Sequence, residues 1–413
     1  MRRRLPPPMR LRDFRLLIGA SLSMGLAGSM LEVAIGWQVY DIHHRALDLG
    51  LVGLAAFLPL PLLALPAGHL ADRFSRKLVY GLAVAMELAV ACALIAVTAS
   101  GATELWPFLA LAATNGTAAA LGAPAGRAMP PALVPPEFLS SAFAVRSIAM
   151  RGAAIVGPAI GGLLFSVRGE LAYGVAAGLF AVALVQLAAM RPQAVAQDAA
   201  LAPSPRLENL LAGIRLIRRT PILLGAITLD LFAVLFGDAI ALLPLFAATI
   251  LDVGPVGLGV LRSAPSIGGV LAAAILVARP IGPYAGRKLL AVIATFGVSM
   301  IVFGLSRNFA LSFAALATSG FVDMFSVNIR QMIVALAAPD ELRGRVMAVE
   351  MVFISASNEL GAFEAGAAAA VLGAVPAVVA GGVFMIVLAA AGTRLFPALA
   401  GIHRLEEIKP APT

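Results

Sequence analysis

Long apolar runs recur along the whole chain, and they constrain its fold more than any other feature of the sequence. Of the 413 residues, 61% are hydrophobic and 13% are charged, and the charges gather in short stretches between the runs. A helix needs about 20 largely apolar residues to cross a bilayer, so the chain has room for about twelve such helices. The core of a water-soluble protein could not bury this much apolar surface. The sequence therefore predicts an all-α integral membrane protein.

The limits of the predicted spans are set by charged and proline-rich interruptions. The stretch 127–137 contains Pro130, Pro131, Pro135 and Pro136, and because proline lacks a backbone donor we expect a loop there. The twelve predicted spans are residues 14–40, 49–70, 78–98, 105–124, 139–167, 170–190, 221–247, 255–278, 288–306, 309–336, 346–370 and 374–396.

The basic residues predict the orientation of these spans. Of the 30 Arg and Lys residues, Arg45, Arg168 and Arg307 fall in predicted outer loops and Arg262 falls within a span. The others lie at the predicted cytoplasmic ends, and short loops rich in Arg and Lys stay on the cytoplasmic side. Both termini are therefore expected in the cytoplasm. This dispersal also argues against nucleic acid as a partner, although the formal net charge is +8.

Weak internal similarity divides the chain into two halves. Residues 17–20, 76–78 and 136–139 resemble residues 223–226, 287–289 and 339–342, in the same order and about half a chain apart. Such spacing predicts a repeat of six plus six helices. We predict an N-terminal half at 1–190, a cytoplasmic linker at 191–220 with a short amphipathic helix at 207–217, and a C-terminal half at 221–413 with a polar tail.

The stretch from residue 68 to 77 carries four charges between two apolar runs, so it must lie at a membrane surface. Gly68, Asp72, Arg73, Arg76 and Lys77 form the pattern Gly, three residues, Asp-Arg, two residues and two basic residues. This pattern resembles the signature loop between helices 2 and 3 of the major facilitator superfamily. The resemblance implies a gating role for Asp72 and Arg73, which would bridge the halves when the cytoplasmic side is closed. The alternative is an ordinary basic loop of an unrelated membrane protein.

A second motif lies in the fifth span, where Gly157, Pro158, Gly161 and Gly162 form Gly-Pro-x-x-Gly-Gly. Proline kinks a helix and glycines allow close packing. The order resembles a motif that exporters of the superfamily carry, although Ala153 stands where a glycine is expected. Residues 37–41, 134–139, 242–247 and 339–346 further resemble the enterobactin-exporter-like branch, which contains drug and siderophore exporters of bacterial inner membranes.

Ionisable residues inside the spans are the candidate transport and proton-coupling sites, because an unpaired charge at that depth is costly. A carboxyl group taken out of water can also bind a proton near neutral pH. The candidates are Glu32, Glu87, Asp230, Asp238, Arg262, Asp323, Glu359 and Glu364. Asn115, Asn328 and Asn358 are secondary candidates for hydrogen bonds in a cavity, with helix packing as the alternative.

Two pairings stand out among these candidates. The repeat places Glu32 opposite Asp238, so both acids could face a central cavity, and we expect this pair to carry proton coupling. Asp238 and Arg262 have similar predicted depths, so they could form an ion pair that is either static or a moving gate. For Glu87 and Asp230, a carboxyl satisfied by a neighbouring hydroxyl or backbone group is the favoured alternative to a transport role.

Charges near the start of the eleventh span form a further candidate set. Asp340, Glu341, Arg343 and Arg345 occupy a predicted inner loop in the second half. By the resemblance they could join the signature stretch in one charge network, and the alternative is that they are solvated loop charges.

The sequence thus predicts a twelve-helix secondary transporter that exports a small organic molecule, drug-like or siderophore-like, by alternating access as a proton antiporter. The expected partners are this substrate, protons and the lipid bilayer, and the chain is expected to be a monomer in a bacterial inner membrane. No cofactor or metal site is predicted, and no nucleotide-binding loop or catalytic constellation of an enzyme occurs. The alternatives are an uptake carrier, lipid flippase or facilitator of the same fold, and a non-transporting receptor or assembly subunit.

Overall fold

The computed structural model describes residues 6–63, 66, 73–191, 207–237, 239–408 and 410. Every regular element in these ranges is a helix, as the composition predicted. The main helices are α1 (Arg12–His43), α2 (Ala46–Phe57), α3 (Arg76–Ala99), α4 (Trp106–Leu133), α5 (Leu139–Val167), α6 (Gly169–Ala188), α7 (Leu207–Arg219), α8 (Pro221–Gly237), α9 (Gly254–Ala278), α10 (Ala285–Leu305), α11 (Phe309–Ala337), α12 (Asp340–Leu372) and α13 (Ala374–Leu395).

Most of these helices are long and apolar enough to cross a bilayer. Within the described ranges, eleven helical stretches meet that standard, including α2 with its continuation, Ala46–Leu63. The helix α4 has the length as well but is less apolar, because Thr114, Asn115 and Thr117 interrupt it. With α4 counted, six spans precede the amphipathic helix α7 and six follow it. The predicted twelve-helix fold in two halves is therefore confirmed, and so is the helix predicted at 207–217.

The fourth span does not end where the sequence predicted. The helix α4 continues through Pro124, Pro130 and Pro131 to Leu133, so most of the loop predicted at 127–137 is helical. Proline at 130 cannot donate to the carbonyl of Gly126. The guanidinium of Arg146 on α5 donates to that carbonyl at 2.9 Å instead, which replaces the lost hydrogen bond and allows the helix to continue.

Two further limits differ from the prediction in the second half. The seventh span is not one continuous helix, because α8 ends at Gly237 and a 3₁₀ turn (Ile240–Leu242), a single helical turn (Leu243–Leu245) and a π-helix (Phe246–Ile250) follow. Pro244 cannot donate to the helix ladder here. In addition, α12 begins at Asp340, so most of the loop predicted between the spans 309–336 and 346–370 forms the first turns of that helix.

Contacts divide the chain into two compact units, each with its own core. Unit 1 comprises Met1–His44, Ala55–Ser204 and Val253–Ser263, and a cluster in it packs Phe14 and Ile18 against Val134 and Ala142.

Unit 2 comprises Arg45–Leu54, Pro205–Asp252 and Ala264–Thr413. Its core is built mainly from buried aliphatic residues of α8, α10, α11 and α13, with Leu216 and Ile217 of α7 at one edge. Ala233, Ile293 and Met385 of this core also line the cavity described next.

Candidate substrate and coupling site

A buried ion pair lies inside unit 2, between α8 and α11. The Nη1 atom of Arg330 contacts the Oδ1 atom of Asp230, and the two side chains are only 8% and 9% exposed. Each of these charges would be costly at this depth without its partner. Asp230 was predicted to be satisfied by a hydroxyl or backbone group, and that prediction is wrong, because its partner is a guanidinium.

Arg330 is a site residue that the sequence reasoning missed. It was assigned to the cytoplasmic end of the tenth span, yet it lies seven residues before the end of α11 and is buried. Its signal was present in the sequence, because Arg330 falls within the predicted apolar span 309–336, as Arg262 falls within another. An arginine in such a run needs a buried acid on a neighbouring helix, and Asp230 is that acid.

The ion pair forms part of the wall of a cavity with a volume of about 230 Å³. The lining includes polar residues, where Asp323, Ser319, Ser326 and Asn358 join the pair, and apolar residues, among them Phe296, Met300 and Met385. A mostly apolar cavity with a few convergent polar groups is the usual form of a small-molecule site. Two predicted acids, Asp230 and Asp323, thus meet at one cavity.

The charge of a third carboxyl group, Glu350 of α12, also acts on Arg330. Asp230 on α8 is in contact with the guanidinium, whereas Glu350 on α12 acts on it through its charge. Within the described residues, the Nε atom of Arg330 is buried and has no hydrogen-bond partner.

A second ion pair lies in unit 1, where Nη2 of Arg262 donates to Oε2 of Glu32 at 2.7 Å. The Glu32 side chain is 61% exposed and that of Arg262 is 23% exposed. Asp238, the partner predicted for both residues, lies outside the described residues, so those two pairings stay predictions. Among the described residues, Arg262 is bound to Glu32 instead.

The remaining predicted acids lie apart from the cavity. Glu87 lies on α3 near Tyr80, and the Glu359 carboxyl approaches Gly53 of α2. Glu364 lines a second, much smaller cavity of about 10 Å³ with Phe236 and Gly381. Glu359 and Glu364 thus have different neighbours in the structure.

The signature stretch is only partly described, because Gly68 and Asp72 lie outside the described residues. Arg73 is exposed. Arg76 donates to the carbonyl of Ala128 at 3.1 Å, and Lys77 donates to the carbonyls of Ala188 and Met190 at 2.9 and 2.5 Å. These cations satisfy carbonyls near the ends of α4 and α6, where a helix favours positive charge. Their gating role stays a prediction.

The glycines of the span-five motif allow three helices to pack closely in unit 1. Cβ atoms on Gly157 and Gly161 would lie 2.7 and 2.8 Å from Ser29 and Met30 of α1, and a Cβ on Gly162 would overlap the carbonyl of Pro255 on α9. From the opposite side, a Cβ on Gly259 of α9 would overlap the carbonyl of Pro158. Because only glycine has no Cβ, the motif fixes these contacts of α5 with α1 and α9.

The charges at the start of α12 form a local arrangement. Arg343 binds Asp340 at 2.6 Å, with side chains 39% and 87% exposed. Asp340 and Glu341 lie in the first helical turn, where negative charge is favoured. The backbone of Arg345 packs against Gly213 of α7. A link between these residues and the signature stretch stays a prediction.

Comparison with known proteins identifies the class. The sequence profile of the transmembrane secretion effector family matches residues 6–404, so the chain belongs to this family of major facilitator transporters. It is 28% identical over 362 residues to the multidrug efflux pump Tap of Mycolicibacterium fortuitum, covering 85% of this chain and 88% of that protein. The chain is therefore a multi-pass membrane transporter of the major facilitator type, similar to a drug exporter, rather than an enzyme.

Solved structures share the fold. The nucleoside transporter NupG has a TM-score of 0.73 at 15% identity, covering 93% of this chain and all of that one. A bacterial homologue of the human lysosomal transporter Spinster has a TM-score of 0.72 at 15% identity, covering 94% and 98% of the two chains. At such identities these likenesses establish the major facilitator fold alone.

Proposed function

We propose that this chain exports a small organic molecule from the cytoplasm by alternating access, as a proton antiporter. The observation that carries the proposal is the buried Asp230–Arg330 pair at the wall of a partly apolar cavity. Support for export comes from the multidrug efflux pump Tap, which is similar over most of both chains, and from the span-five motif. The proposed setting is a monomer in a bacterial inner membrane, with both termini cytoplasmic and two six-helix halves joined by the linker 191–220.

The pair suggests how a proton could drive transport. While Asp230 is ionised, it holds Arg330 at the cavity wall. When Asp230 takes up a proton, the attraction between the two side chains is lost, and Arg330 moves toward Glu350, which already interacts with it. The shape and hydrogen-bonding capacity of the cavity then change, so the protonated and ionised forms bind substrate differently. Such a difference in affinity is what coupling requires.

Rhodamine 6G uptake into inside-out vesicles tests this proposal. An imposed pH gradient, acidic inside, should drive the dye into vesicles that contain the wild-type chain, and dissipating the gradient should stop it. Asp230→Asn, which keeps the shape but cannot change charge, should lower the pH-driven rate at least about 10-fold. The matched control is Asp252→Asn, an exposed acid in the turn before α9, which should retain the wild-type rate.

Three results would contradict the proposal. The first is dye movement at a rate that does not depend on the pH gradient. The second is dye movement only out of the inside-out vesicles, which corresponds to uptake into the cell. The third is an Asp230→Asn variant that transports at the wild-type rate. A fluorescent phosphatidylcholine in the same vesicles separates export of a soluble molecule from lipid flipping, since a flippase would move the lipid between leaflets.

A further inference from the structure

The amphipathic helix α7 presents a row of arginines on the side that faces away from the rest of unit 2. Leu216 and Ile217 belong to the unit 2 core. A Cβ on Gly213 would lie 2.9 Å from the carbonyl oxygen of Arg345, so α7 also packs closely on α12. At 3.6 residues per turn, the opposite side of the helix carries the residues that are exposed between 211 and 219. These are Leu211, Arg215, Arg218 and Arg219.

The three arginines carry charges that the described part of the chain does not neutralise. The ion pairs among the described residues involve other side chains. Arg215 lies three residues before Arg218 and four before Arg219, so the three cations are neighbours on the helix surface and repel one another. The last turn of a helix favours cations, but Arg215 lies one turn earlier. An anionic partner on this side would relieve the repulsion.

The connection between α7 and α8 holds these charges at a membrane surface. Only Thr220 separates the two helices. Its N–H group donates to the carbonyl of Leu216 at 3.0 Å, and its carbonyl accepts from the N–H group of Leu224 at 2.9 Å. Because α8 begins a membrane-spanning stretch at Pro221, the nearest arginine lies two residues before the apolar run. Basic residues in that position lie at the depth of the lipid headgroups.

A phospholipid headgroup matches this row of residues better than a soluble acidic partner does. A guanidinium donates parallel hydrogen bonds to phosphate oxygens, and basic clusters directly beside a membrane span attract anionic lipids. Leu211 is 48% exposed and lies one turn before Arg215 on the same side of the helix, so an apolar side chain accompanies the cations. The boundary between headgroups and acyl chains accommodates both kinds of side chain.

We propose that Arg215, Arg218 and Arg219 bind the phosphate groups of anionic phospholipids, and that α7 thereby attaches unit 2 to the membrane surface. This inference goes beyond the proposed function, because it requires neither a transported substrate nor a proton. The helix α7 packs on α12 and is joined to α8 by a single residue, so bound lipid restrains the adjoining ends of both helices.

Fluorescence quenching at α7 tests the site in the purified full-length protein. A bimane label is attached at Leu211→Cys in a chain that also carries Cys92→Ser, because Cys92 is the single native cysteine. Brominated phosphatidylglycerol and brominated phosphatidylcholine, which share acyl chains and differ in net charge, are titrated in mixed micelles. The anionic lipid should quench half of the fluorescence at a mole fraction at least about 10-fold lower. Raising NaCl to about 1 M should remove most of this preference.

A variant of α7 locates the binding. Arg215→Gln, Arg218→Gln and Arg219→Gln together should make the two lipids quench at equal mole fractions. All three side chains are exposed, and glutamine keeps the helix propensity of arginine, so we expect the variant to fold. A preference for the anionic lipid that survives in this variant would place the bound lipid elsewhere and overturn the inference.

A matched control removes the same number of charges from other exposed loops. Arg45→Gln, Arg168→Gln and Arg307→Gln lie between α1 and α2, between α5 and α6, and between α10 and α11. This control should keep the preference for the anionic lipid. Equal quenching by the two lipids in the chain with all its native arginines would overturn the inference. If polyglutamate then changed the bimane signal, the row of arginines would belong to an acidic protein partner instead.

Discussion

The two units each contain an ion pair between an arginine and an acid that are far apart in sequence, and the pairs differ in burial. In unit 1, Glu32 is 61% exposed and Arg262 is 23% exposed. In unit 2, both members of the Asp230–Arg330 pair are less than one-tenth exposed. An exposed pair contributes little to stability, whereas removing one member of a buried pair leaves an uncompensated charge. Similar residue types in the two units therefore have different energetic consequences.

The largest expected effect comes from breaking the buried pair on one side. Arg330→Met removes the cation and leaves the Asp230 carboxylate buried without its partner. We expect a loss of about 3–5 kcal/mol in the free energy of unfolding, measured by denaturation in mixed detergent micelles. A loss below about 1 kcal/mol would show that Asp230 finds water or another partner and that the pair is not isolated.

A double substitution sharpens the interpretation of that loss. Asp230→Asn together with Arg330→Gln removes both charges and keeps groups that can hydrogen-bond. We expect the double variant to recover most of the loss and to unfold within about 1–2 kcal/mol of the wild type. The same denaturation experiment measures it. A double variant as unstable as Arg330→Met would mean that shape, rather than an unpaired charge, causes the destabilisation.

The exposed pair should behave differently in the same experiment. Glu32→Gln removes the charge on a side chain that is mostly exposed. We expect a change of at most about 1 kcal/mol in the free energy of unfolding, with transport unimpaired. A loss as large as that of Arg330→Met would remove the contrast between the two pairs and restore Glu32 as a coupling candidate.

The smallest effect is on the salt dependence of stability. Raising NaCl from about 0.05 M to about 1 M shortens the screening length several-fold. The stabilisation lost in Glu32→Gln should shrink by a few tenths of a kcal/mol, while the loss in Arg330→Met should hardly change. Equal sensitivity of both variants to salt would show that water reaches the Asp230–Arg330 pair.

Much of the fold could be predicted because a bilayer requires each spanning helix to be apolar over a fixed length, which can be read from the local sequence. Apolar length determines the spans, and the limits of α5 (Leu139–Val167) and α11 (Phe309–Ala337) agree with the predicted limits to within one residue. The error at α4 has a physical reason. Proline was taken to end the helix, but Arg146, from another helix, supplies the hydrogen bond that Pro130 removes. That compensation is a tertiary contact, which local sequence does not reveal.

The candidate site was predictable in part. Asp230 and Asp323 were recognised as charges within apolar runs, and both line the cavity. The pairing of Asp230 with Arg330 was not predicted, because the repeat directed attention to Glu32 and Asp238. In addition, Arg330 was assigned to a helix end. Which acid meets which base depends on how α8 and α11 are rotated against each other. Apolar periodicity is too weak to fix that rotation in helices that are apolar on nearly every side.

The most direct test of the central claim is proton release from the purified protein on addition of rhodamine 6G. A pH electrode in weakly buffered detergent solution records it over about pH 5–9. If ligand binds the form with ionised Asp230, binding should release protons from the wild type and from Glu32→Gln, and none from Asp230→Asn. Release from Asp230→Asn equal to that of the wild type, with the dye bound equally in both, would contradict coupling through the Asp230–Arg330 pair.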